Sequence, residues 1–113
     1  MESGPVPNDP LAFIRNCVSR RRIRWTYHVA MRQQQRSLSV ETLHNAVDSP
    51  EIIEVYPRDK YLPSFLLRGE QIGFVFHARI ATDVVGDNIR VVTMYKPDRE
   101  KWDESGRTRR IGK

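Results

Sequence analysis

Apolar residues recur at helical spacing near the start of the chain and change to strand-like alternation after Pro50. Asp9 suits an N-cap and Pro10 a first helical position, and Leu11, Ile14 and Val18 follow at helical intervals, which predicts a first helix. That helix runs into the basic stretch Arg20, Arg21, Arg22 and Arg24, where cations favour the C-terminal end of the helix dipole. Thr26 to Arg36 has no Gly or Pro and predicts a second helix. Ser37 to Ser39 reads as a break, and Val40, Leu43, Ala46 and Val47 form the narrow stripe of a third, stopped by Asp48, Ser49 and Pro50.

Four strand-like runs follow, Glu51 to Tyr56, Tyr61 to Arg68, Phe74 to Asp83 and Ile89 to Lys96, separated by Pro, Gly, Asp or Asn. Gly86, Asp87 and Asn88 suit a tight turn between the last two. Helices grouped ahead of a meander predict an α+β fold, in which N-terminal helices pack on one face of a four-stranded, mostly antiparallel sheet and leave the other face partly open. Residues 1–10, with three prolines, read as a flexible arm, 11–102 as a single domain and 103–113 as a basic, flexible tail.

The chain has 113 residues, which is room for one modest core. Lys and Arg number 19 against 14 acidic residues, so the net charge is +5 and nucleic acid is the first partner to consider. No apolar run approaches the about 20 residues that a membrane helix needs. Nor is there the apolar stretch of a secretory signal, so a cytoplasmic protein without membrane contact is expected. Cys17 stands alone, which leaves no internal disulfide, CxxC pair or four-thiolate zinc site. His28, His44 and His77 are scattered and no phosphate-binding Gly loop is present, so neither a metal nor another cofactor is expected.

Two patterns carry chemistry. His28, Arg32 and Arg36 lie at i, i+4 and i+8 on the second helix, where one anionic group can meet all three; the plainer reading is a solvated basic face. On the third predicted strand, alternation places Phe74, Phe76, Ala78 and Ile80 toward the core and Val75, His77, Arg79 and Ala81 on the open face. Tyr95 ends the fourth strand. A tight turn at Gly86–Asp87 sets it on the face opposite His77, and a bulge near Asp83 would reverse this. Tyr56 and Tyr61 read as packing residues at a strand end.

The run Trp25, Thr26, Tyr27, His28, then Arg32 and Arg36, followed by the EIIEVYP strand and the closing IRVVTMY strand, resembles the bacterial domain-of-unknown-function family numbered 4258. The resemblance spans roughly Leu11 to Trp102, and PSFLLRGE and FHARIATD look typical of a longer subgroup. It implies a relation to RelE-like and barnase-like toxin nucleases, a RelE-like layering of helices on a small sheet, and an antitoxin protein as partner. RelE-type sites use basic residues and a tyrosine on and near the sheet, for which Arg79, Arg90 and Tyr95 are the counterparts; His28 has none.

The function expected is a metal-independent endoribonuclease of toxin–antitoxin type. His28 or His77 would move the proton, Tyr95 would orient or protonate the leaving oxygen, and Arg32, Arg36, Arg79 and Arg90 would hold the phosphate. The competing expectations are a non-catalytic RNA-binding or protein-interaction module, and a homodimer assembled through a sheet edge or the apolar stripe.

Overall fold

A computed structural model describes residues 5–25, 51–59, 62–71, 74–98, 100–103 and 105–109. The second and third predicted helices, with His28, Arg32, Arg36 and His44, lie outside the described residues. Helix α1 spans Pro10–Ser19. It starts where the sequence dictates: Pro10 gives up no needed amide, and the Asp9 carboxylate accepts a hydrogen bond from the Ala12 amide at 3.1 Å.

The basic run after α1 is where expectation and structure part. The helix closes in a Schellman turn, with the Arg21 amide donating to the Val18 carbonyl and the Arg22 amide to the Cys17 carbonyl, and Arg21 takes the left-handed conformation at φ 58°. The chain then becomes a strand, β1 (Ile23–Trp25). The remaining strands are β2 (Glu51–Tyr56), β3 (Ser64–Gln71), β4 (Phe74–Asp83) and β5 (Asn88–Tyr95). They form a five-stranded mixed sheet of order β1-β5-β4-β3-β2, in which β1 runs parallel to β5 and the other neighbours are antiparallel. The α+β class holds, whereas four strands were expected; the extra one is too short to show a period and is made only by pairing with residues 89–91.

Arg20 grips the β4–β5 turn through two hydrogen bonds to the Asp87 carboxylate, at 2.9 and 2.8 Å, and Arg22 donates to the carbonyls of Asp87 and Gly86. The start of β1 is thereby pinned to the end of the hairpin it joins. Asp87 sits at φ 55°, a conformation that Asp tolerates better than most residues.

One sheet face carries the core. Ile14, Cys17 and Val18 of α1 meet Phe65, Leu67, Phe76, Ala78, Ile80, Ile89, Val91 and Met94, with Ile23, Trp25 and Ile52 at the margins. Each fully buried Leu, Ile, Val or Phe here contributes about 1.5–3 kcal/mol. The expected alternation of β4 is observed, since Phe76, Ala78 and Ile80 face this core.

The opposite face is not open along its whole length. After β5 the chain turns at Asp98, whose carbonyl accepts from the amides of Lys101 and Trp102, and an isolated bridge joins Trp102 to Arg109. Trp102 is buried. Asp103 and residues 105–109 belong to the stretch whose composition suggests a flexible tail; they return across the sheet and bond to it. The Ser105 carbonyl accepts from Arg68 Nε, the Gly106 carbonyl contacts His77 Nε2 at 2.7 Å, and Arg107 and Arg109 pair with Glu51 and Glu54.

Candidate functional site

Two bulges assemble the cluster on this second face. In β2 the register with β3 slips between Ile52 and Glu54, leaving Ile53 extra, so Glu51, Glu54 and Tyr56 share a face that strict alternation would divide. In β5 the partners of Arg79 and Ile80 are Thr93 and Val91, leaving Val92 extra. Val91 and Met94 therefore both reach the core, and Tyr95 stands opposite His77 in register and on the same side. The face-reversing bulge exists, but at Val92 rather than near Asp83.

His77 was expected on an exposed face and is instead fully buried, because Trp102 and Gly106 cover it. Its ring stands edge-on to Trp102, with centroids 4.4 Å apart. A carbonyl oxygen only accepts, so Nε2 must carry a proton and donate to Gly106. Burial, reinforced by the cations of Arg68 and Arg109, holds the imidazole below its ordinary pKa against the opposing pull of the Gly106 carbonyl and Glu54. In that neutral form Nδ1 is a bare lone pair, and the Tyr95 hydroxyl, 3.3 Å away, donates to it. His77 thus positions Tyr95 and has no nitrogen left for a substrate. Tyr95, its own pKa raised by burial, turns its hydrogen inward and presents oxygen lone pairs outward.

Beside Tyr95 lie a carboxylate and two guanidinium groups. Glu54, 25% exposed, accepts from Arg109 Nε at 2.6 Å and Nη2 at 3.0 Å and from the Tyr56 hydroxyl. The Arg109 hydrogen bond is the main reason its carboxyl sits below the usual carboxylate range, and the pKa of Arg109 rises in return. Burial and the bond to Glu54 raise the Tyr56 phenol. Arg79, 31% exposed, donates from Nη2 to Asp59 at 2.8 Å and from Nε to the Ser64 hydroxyl at 3.2 Å, while its guanidinium lies 4.1 Å over the Tyr56 ring. This leaves Nη1 without a hydrogen-bond partner among the described residues. Arg109 in turn lies 4.5 Å over the Trp102 ring.

Of the residues singled out from sequence, His77, Arg79 and Tyr95 come together. Arg90 shares their face but pairs with Ala81, four residues along β4 from His77, or about 13 Å at strand spacing. Glu54 and Arg109 were missed and Tyr56 was read as packing. The available signals were two carboxylates three apart in a β-run and a lone Trp in a polar, basic stretch. Among the described residues, no group of three His, Cys, Asp or Glu is placed to hold a metal ion, and no helix is long and apolar enough to cross a membrane.

The buried neutral imidazole has a measurable consequence. Because its folded pKa lies below the ordinary 6.5, stability from His77 is complete above that pH and is lost as pH falls from there toward the folded value. Urea unfolding between pH 7.5 and 5.5 should show a steeper loss for the native chain than for His77→Gln, by up to about 1.4 kcal/mol per pH unit. The two proteins differ in no other titrating group. Equal slopes would contradict the buried neutral state.

No curated protein and no solved structure matches the chain. The model of the family described as a domain of unknown function (DUF4258) matches residues 25–100, which takes in β2 to β5, the last residue of β1, and nearly all of the cluster except Trp102 and the tail residues. By that match the chain belongs to the DUF4258 family.

Proposed function

We propose that this protein is a metal-independent ribonuclease of toxin type, related to RelE-like and barnase-like nucleases and acting in the cytoplasm under the control of an antitoxin protein. The observation that carries the reading is the juxtaposition of a part-exposed carboxylate, Glu54, with the guanidinium groups of Arg79 and Arg109 and the outward-facing oxygen of Tyr95. A ribonucleotide offers the complement: a hydroxyl donor beside an anionic phosphate.

In this mechanism Arg79 and Arg109 hold the phosphate and stabilise its added charge in the transition state. Arg109 exchanges the Glu54 carboxylate for the phosphate, which frees Glu54 to take the proton of the ribose 2′-hydroxyl. The 2′-oxygen forms a bond to phosphorus, the bond from phosphorus to the 5′-oxygen breaks, and the departing oxygen takes a proton from solvent. Tyr95, held by His77, accepts a hydrogen bond and orients the ribose; with its hydrogen turned inward it is not the leaving-group acid. Arg90 contacts the strand beyond the reacting phosphate. Any part played by His28, Arg32 and Arg36 falls outside the described residues.

The test is cleavage of a ribo-oligonucleotide in the presence of EDTA. The expected products end in 2′,3′-cyclic phosphate, and a single 2′-deoxy substitution blocks cleavage at that step. An oligonucleotide that stays intact while bound, with affinity falling steeply with salt, would replace this reading with the non-catalytic RNA-binding module.

A further inference from the structure

The parallel pairing of β1 with β5 places Arg24 directly opposite Arg90. Cross-strand partners share a face, and like charges in that position repel. Both side chains are exposed. Among the described residues, the Arg24 side chain has no ion-pair or hydrogen-bond partner. Arg90 has one long contact, 3.5 Å to Asp83, a carboxylate already occupied by the Gly86 amide and the Asn88 side chain. The neighbouring Arg22 is neutralised by Asp87 and two carbonyls, so the repulsive pair is specific to Arg24 and Arg90.

The pair lies on the face that carries the cluster. Ile23 and Trp25, on either side of Arg24, pack against the core, and Arg90 is flanked by core residues Ile89 and Val91. Arg90 faces Ala81, and Arg79 is two residues from Ala81 on the same side of β4. The backbone spacing is therefore about 4.8 Å from Arg24 to Arg90, the separation of adjacent strands. From Arg90 to Arg79 it is about 7–8 Å, a diagonal step. Ala81 between them is small and raises no wall. Three arginine positions on β1, β5 and β4 thus follow one another across the face and end at the cluster around Glu54.

We propose that Arg24, Arg90 and Arg79 form a track for the backbone of single-stranded RNA, with Arg24 and Arg90 holding phosphates outside the reacting one. Charge is the argument for this occupant. A like-charge pair whose one carboxylate partner is shared and distant lowers the stability of the bare fold, and a chain of phosphates turns that repulsion into binding, with release of counterions. The inference rests on the proposed action on RNA for the identity of the strand, and not for the existence of the track.

The experiment measures binding of a fluorescein-labelled 2′-O-methyl oligouridylate, which cannot be cleaved, by anisotropy across a salt series. Arg24→Ala and Arg90→Ala should each flatten the slope of log affinity against log salt by about 0.7 and weaken binding about fivefold at 0.1 M salt. Arg15→Ala, on the outer side of α1, should leave both unchanged. Arg24→Glu should weaken binding further while raising Tm, because it turns the repulsive pair into an attractive one. Variants at Arg24 and Arg90 that bind with native affinity and slope would overturn the track. If the native protein binds with the expected salt dependence yet cuts no RNA, the ribonuclease reading fails and the track stands.

Discussion

Replacing Glu54 with Gln is expected to slow RNA cleavage by about 10²–10⁴-fold, the usual contribution of a positioned acid–base group. Gln keeps the length of the side chain, and its one oxygen still accepts from Arg109 Nη2 and the Tyr56 hydroxyl, while the bond from Arg109 Nε is given up; what is lost for the chemistry is the capacity to take a proton. Binding should move the other way. Removing a negative charge between guanidinium groups makes the face more attractive to phosphate, so affinity for an uncleavable oligonucleotide should rise modestly as the rate falls. That split separates a base from a residue that merely supports the fold, whose loss would lower both. Cleavage by Glu54→Gln at the native rate would remove Glu54 from the mechanism.

The largest effects on stability are expected where Gly69 of β3 passes under the ring of Phe76. A Cβ there would lie 2.5 Å from Phe76 Cζ and 2.7 Å from Cε1, far inside contact distance. Phe76 is 1% exposed and ringed by core residues, so it cannot swing away without disturbing its neighbours. Gly69→Ala should cost about 1–3 kcal/mol through overpacking, and Phe76→Ala about 3–5 kcal/mol through the cavity it leaves. In thermal unfolding, the first change should lower Tm by on the order of 10 °C. The decisive comparison is the double variant Gly69→Ala/Phe76→Leu. The smaller side chain makes room for the new methyl, so the two changes together should cost less than their sum. Strict additivity would show that the ring is not what excludes a side chain at position 69.

Much of the framework was legible because local chemistry sets it. Asp9 and Pro10 mark the start of α1, and the alternation of Phe76, Ala78 and Ile80 with His77 and Arg79 marks the buried side of β4. The site was less legible because it depends on pairing. Ile53 and Val92 look like ordinary strand residues, and only the partner strands decide that each is extra. Those two slips determine that Glu54 joins Tyr56 and Glu51, and that Tyr95 joins His77. β1 was hidden for a similar reason: Ile23–Trp25 is too short for a period, and four arginines nearby read as the end of a helix. Composition also masked the return of residues 105–109, whose anchors are two carbonyls and a glycine at φ 74° rather than an apolar stripe.

The parallel edge strand also bears on the order of assembly. Ile23 pairs with Ile89, so among the described residues the first strand has no place to dock until the last one exists. The β2–β5 meander can zip together through neighbouring hairpins, but closure of a loop this long carries a larger entropic cost and slows the final step. A nascent chain would thus expose the apolar side of α1 and β1 until β5 has left the ribosome, and these elements should be the last to gain protection from hydrogen exchange during refolding.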